Sequence, residues 1–117
     1  MTYVDGFVVP VSKGKIEQYR DHAKKAADIW MEHGALSVVE SLADNAPMGE
    51  ITSFPRSVLM TDTETVVFSY ITYRDRAHRD EVMKNVMADP RMAGGMETMP
   101  FDGKRMIWGG FDVIVSR

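Results

Sequence analysis

Cysteine is absent from the 117 residues, which excludes disulfides, thiol chemistry and a Cys-based metal site. Positive charge is also short: 14 Lys and Arg against 17 Asp and Glu leave a formal net charge of −3. Phosphate binding needs a basic footprint, so neither nucleic acid nor an anionic membrane surface is an expected partner. No apolar run approaches the roughly 20 residues of a membrane helix, so no membrane partner is expected on that ground either. The first residues read as a strand rather than as a basic stretch followed by an apolar one. A signal peptide is therefore not expected, and the expected location is cytoplasmic. Catalytic signatures are missing too: there is no H-E-x-x-H, G-x-S-x-G, phosphate loop or G-x-G-x-x-G. No residue pattern implies a cofactor or a metal.

What remains is an ordinary globular composition, 44% hydrophobic and 26% charged, long enough for one domain over residues 1–117 with a single modest core. Its strongest local signal is T-V-V-F-S-Y-I-T-Y at 65–73. β-Branched and aromatic residues fit a pleated, packed surface. Both sides of its alternation are largely apolar, so this strand wants cover on both faces. A first strand is predicted over 3–11, with Pro10 marking its end or an edge. Ser12 then caps a helix over 13–33 whose buried stripe is Ile16, Tyr19, Ala23, Ala26, Ala27 and Trp30. Gly34 closes that helix. A second strand is predicted over 35–43. Pro55 divides 51–60, where two short extended pieces or a protruding arm are expected. A second helix over 75–88 carries Val82, Met83, Val86 and Met87, and Asp89-Pro90 ends it or caps a further short turn. Gly94-Gly95 demands a loop. The last strand is predicted over 104–115, with Gly109-Gly110 as a bulge or a close-approach point.

Strand, helix, strand, strand, helix, strand is the ferredoxin-like βαββαβ order. The α+β fold predicted is a four-stranded antiparallel sheet with both helices on one face. The other face reads apolar and would stand bare in a monomer, so a homodimer pairing the two open sheet faces is expected.

Several longer segments carry a resemblance. They are Y-V-D-G-F-V-V-P-V at 3–11, E-H-G-A-L at 32–36, T-S-F-P-R at 52–56, R-A-H-R-D at 76–80, M-A-D-P-R at 87–91 and M-P-F-D-G-K-R-M-I-W-G-G-F at 99–111. Through them nearly the whole chain resembles the YbaA-like family of bacterial proteins with a domain of unknown function. The resemblance implies a dimeric α/β barrel and no particular activity. The wider superfamily includes cofactor-independent monooxygenases, haem-degrading enzymes and stress-response barrels, but fold does not fix function.

Candidate site residues are polar groups in apolar settings. Arg79 extends the Val82, Met83, Val86, Met87 stripe and could clamp an anion; snorkelling or pairing with a strand carboxylate is the plainer role. His78, at the edge of the same stripe, could be a base or a hydrogen-bonded structural histidine. His22 and His33 are eleven residues apart, about 16 Å along a helix, too far to share a metal. Asp5, Glu40 and Asp112 fall inside strands, where a carboxylate must be solvated, paired or shifted in pKa. Arg105 and Arg56 could meet such acids. Ten methionines, with Met83/Met87 and Met92/Met96 at helical spacing, suit adaptable core packing better than copper. Trp30, Trp108, Tyr19 and Phe68 could line an apolar pocket between sheet and helices, open to a small apolar or aromatic ligand. Two classes of function follow. One is an oxygenase-like enzyme with His78 as base, Arg79 as anion clamp and Trp108 with Tyr70 as apolar walls. The other is a non-enzymatic or stress-associated binding protein using the same pocket without catalysis.

Overall fold

The computed structural model of the chain describes residues 2–93 and 99–117. Strands β1 (Tyr3–Ser12), β2 (Ser37–Leu42), β3 (Glu64–Tyr73) and β4 (Ile107–Asp112) form one antiparallel sheet in the order β2-β3-β1-β4. Helices α1 (Ile16–Glu32) and α3 (Arg76–Met87) pack on one face, and a four-residue helix, α2 (Phe54–Ser57), lies between β2 and β3. This is the ferredoxin-like arrangement expected from the element order.

The two central strands pair over their full length, from Tyr3 opposite Tyr73 to Ser12 opposite Glu64. Alternation then sorts their side chains. Tyr3, Phe7, Val9 and Val11 of β1 and Val67, Ile71 and Tyr73 of β3 meet the helices. There they pack with Tyr19, Ala23, Ile29 and Trp30 of α1 and with Val82 and Val86 of α3. Each fully buried valine contributes about 1.5–3 kcal/mol through removal from water. α1 stops at Gly34, whose φ of +108° reverses the chain into β2. Asp75 caps α3 by accepting from the His78 backbone N–H at 2.8 Å. Asp89 caps the short turn Pro90–Met92 that follows α3.

Four details depart from the sequence reading. Ser12 makes no side-chain cap; a 3-10 turn at Lys13–Lys15 leads into α1 instead. The 51–60 region is not extended: Ser53 caps α2 by accepting from Arg56 N–H, and Pro55 sits in its first turn. β4 is shorter than 104–115 because Asp102 folds the preceding residues into a turn, accepting from the backbone N–H of both Lys104 and Arg105. No bulge interrupts β4; Gly109 and Gly110 stand in regular register opposite Gly6 and Asp5. Close approach explains Gly110 instead. A Cβ there would collide with the Tyr3 hydroxyl and the Arg79 guanidinium. The Gly94-Gly95 loop and Met96 lie outside the described residues.

The far face of the sheet is partly roofed. Val58 is buried against Val8 and Val66, and Phe54 lies edge-on to Phe68 at 5.9 Å between centroids. Arg56 braces this roof by donating to the carbonyls of Met48 at 2.7 Å and Gly49 at 3.1 Å. Beyond it Phe68, Ile107 and Phe111 remain 44%, 46% and 60% exposed.

Candidate functional site

The helix-side face of the sheet and α1 do not close tightly on each other. Ala23, Ala26 and Ala27 present only methyl groups to the sheet, and the gap is a cavity of about 450 Å³. That is within the usual range for small-molecule sites. Its walls are apolar: Phe7, Val9 and Ile71 from the sheet floor, Trp30 from α1, and Met87, Met92, Met99, Phe101 and Met106 from α3 and the chain beyond it. Phe101 stands edge-on to Tyr19 at 5.8 Å and to His22 at 6.0 Å.

Among the described residues four polar side chains interrupt this lining: Tyr19, His22, Glu40 and Ser69. Tyr19 Oη donates to Glu40 Oε1 at 2.6 Å, joining α1 to β2 across the cavity wall. Burial drives the Tyr19 hydroxyl far above its ordinary pKa, reinforced by the charge of Glu40, so it stays a donor. Glu40 as a whole keeps an exposed side, but atoms crowd its carboxyl and raise the pKa, against the lowering effect of the Tyr19 bond. His22 is shifted down by burial and then by the charge of Lys25. A second hollow of about 380 Å³ lies on the other side of this pair, sharing Tyr19, Ala23, Ala27, Val38 and Glu40 and adding Arg20 and Lys24.

Of the four aromatics expected in a pocket, Trp30 and Tyr19 line the large cavity, whereas Trp108 and Phe68 do not. Arg79 is committed elsewhere. Its Nε lies 3.2 Å from Asp5 Oδ1, its Nη2 donates to Tyr3 Oη at 3.2 Å, and its Nη1 donates to Asp80 at 3.0 Å. Tyr73 Oη donates to the other Asp5 oxygen at 2.9 Å. This is the pairing with a strand carboxylate. Burial raises the Asp5 pKa more than Tyr73 and Arg79 lower it, and it pushes Tyr73 upward too. Neither Arg79 Nε nor Asp5 Oδ1 has a hydrogen-bond partner, so their 3.2 Å contact is an ion pair without good hydrogen-bond alignment.

His78 Nδ1 accepts the Arg74 backbone N–H at 3.0 Å and its ring packs edge-on to Tyr73. That geometry puts the neutral ring's proton on Nε2. Trp108 stacks on Phe7 with centroids 6.4 Å apart and is 55% exposed. Tyr70 lies on the opposite sheet face against Phe68, so it cannot wall one pocket with Trp108. Arg105 grips Glu64 with two bonds, at 2.8 and 2.6 Å, and reaches none of the strand acids Asp5, Glu40 or Asp112. That grip lowers Glu64 to about 2. Among the described residues no cluster of three or more His, Asp or Glu could hold a metal ion, and no helix is long and apolar enough to cross a membrane.

Sequence reasoning placed Tyr19 in the α1 stripe and Glu40 in β2 but did not join them. The available signal was a carboxylate inside a strand opposite a helix whose stripe carries a tyrosine near its N-terminal end.

The structure is similar over its full length to that of a dimeric ferredoxin-like protein from an uncultured marine organism, with a TM-score of 0.58, 13% identity and complete coverage of both chains. At that identity the likeness shows the fold alone. In sequence the chain is 49% identical over 116 residues to "Uncharacterized protein YbaA" of Escherichia coli strain K12 and of Shigella flexneri, covering 99% of this chain and of each relative. The family profile described as "Protein of unknown function (DUF1428)" matches residues 2–103. The chain belongs to that family.

Proposed function

We propose that the protein is a small-molecule binding protein whose site is the cavity between α1 and the sheet, and that it works as a homodimer joined through the open sheet face. The cavity supports the first part: about 450 Å³ of apolar space with a hydrogen-bonded Tyr19–Glu40 pair at its wall. A large apolar pocket with a few converging polar groups is the usual form of a ligand site. Binding is favoured over the oxygenase reading because His78 and Arg79 lie outside the lining and are already occupied by Arg74 and Asp5. The exposed Phe68, Ile107 and Phe111 support the second part, as does the dimeric state named for the marine protein of like fold.

Titration with the neutral fluorophore N-phenyl-1-naphthylamine tests the cavity. Saturable enhancement is expected. Ala27→Leu, which fills part of the cavity, should weaken it about tenfold, because overpacking by a few carbons costs about 1–3 kcal/mol. Equal binding to wild type and Ala27→Leu would place the probe elsewhere and overturn the assignment, and so would no enhancement at all.

A further inference from the structure

The cavity is lopsided in charge. Among the described residues no Lys or Arg lines it, and the titratable groups that do are Tyr19, His22 and Glu40. Tyr19 stays a neutral phenol because burial and Glu40 oppose its ionisation. His22 is held neutral at pH 7 by burial and by Lys25. Among the described residues Glu40 is therefore the lining's one carboxyl group, and although burial raises its pKa, a cation bound beside it would favour the ionised form. Its bond from Tyr19 uses one of roughly four lone-pair sites on the carboxylate. Trp30 and Phe101 stand in the same lining, and aromatic faces attract cations.

We propose that the cavity selects apolar molecules bearing an amine: the ammonium pairs with Glu40, and the hydrocarbon lies against Trp30 and Phe101. Carboxylates are disfavoured, since they would meet Glu40 with no cation among the described lining residues to offset it. This inference rests on the cavity being a binding site. The groups around Glu40 that bear on it are Tyr19, Arg20 and Lys24 from α1, Ser41 from β2, and Ser69 from β3. Arg20 pairs with Glu17 at 3.1 Å, so Lys24, exposed in the neighbouring hollow, is the cation an acidic ligand would need.

Three ligands of one shape separate the cases: 2-(1-naphthyl)ethylamine, 2-(1-naphthyl)ethanol and 1-naphthaleneacetate, each competing against N-phenyl-1-naphthylamine at pH 7. The amine should bind about tenfold tighter than the alcohol, as a hydrogen bond to a charged group contributes roughly 1.5–3 kcal/mol, and the acetate should bind weakest. Glu40→Gln keeps an acceptor for Tyr19 and removes the charge. It should bring the amine to within about twofold of the alcohol. Acetate binding as tightly as the amine, with that binding lost in Lys24→Ala, would overturn the proposal. So would an amine preference that survives Glu40→Gln. If the fluorophore binds and the three ligands compete equally, this inference fails while the binding reading stands; if the fluorophore does not bind, both fail.

Discussion

Replacing Arg79 by methionine should expose how much Asp5 depends on it. Asp5 is wholly buried and the Arg79 side chain is only 13% exposed. With Arg79 gone, Asp5 keeps the Tyr73 hydroxyl but no countercharge. The folded chain must then hold a bare buried carboxylate or take up a proton. Protonating an ordinary aspartate at pH 7 costs about 4 kcal/mol, roughly three pH units at about 1.4 kcal/mol each, so the proton route caps the loss. Breaking a buried pair by removing one partner costs about 3–5 kcal/mol in general, and about 3–4 kcal/mol is expected here. The pH dependence follows in sign. Burial already holds the folded-state pKa of Asp5 above its ordinary value, and losing Arg79 raises it further. A raised acid stabilises the fold most below its unfolded pKa and loses that contribution as the pH climbs through the folded one. The deficit of Arg79→Met should therefore be small near pH 5 and full near pH 7.5. Urea unfolding followed by Trp30 and Trp108 fluorescence measures it, at one protein concentration because association shifts apparent stability. Asp5→Asn in the Arg79→Met background should recover much of the loss, since the amide oxygen still accepts from Tyr73. A deficit below about 1 kcal/mol at pH 7.5, or one equal at both pH values, would refute the reasoning, because a buried unpaired carboxylate cannot be that cheap.

The same network should make Gly110 intolerant. A methyl group added at Gly110 would overlap the Tyr3 hydroxyl and Arg79 and lie 2.8 Å from Tyr3 Cε2, so Gly110→Ala should cost about 1–3 kcal/mol in urea unfolding. Gly109→Ala, whose methyl meets only Phe111 at 3.5 Å, should be nearly neutral; equal losses would contradict the packing. On the far face, Phe68→Lys should yield monomer in size-exclusion chromatography without unfolding the chain, and an unchanged elution volume would argue against that face as the interface.

The strands were legible because β-branched and aromatic runs mark them locally, and the helices because Tyr19, Ala23 and Trp30, or Val82 and Val86, repeat at helical spacing. Long-range pairing was not. Arg79 stood out as a charge on an apolar stripe, yet its partner Asp5 lies far earlier in the chain, on a strand whose place beside β3 and β4 only the assembled sheet fixes. Tyr19 and Glu40 were visible separately for the same reason. The α2 turn was a different kind of miss. Ser53 followed by Pro55 is a helix-start signal, but a proline between two apolar stretches is equally a strand breaker, and local sequence does not separate the two. A pocket between sheet and helices was expected, with Trp30 and Tyr19 in its wall, but its size was not legible, because it depends on how far three alanine methyl groups stand from the sheet.

In the proposed assembly the sheet is used on both faces, one closing over a cavity with its own helices and the other meeting a second copy. Sedimentation equilibrium of the wild-type protein at micromolar concentration tests this most directly. The proposed dimer should give a species of twice the 13.2 kDa chain mass. A single species of 13.2 kDa, persisting to the highest concentration the protein tolerates, would contradict it.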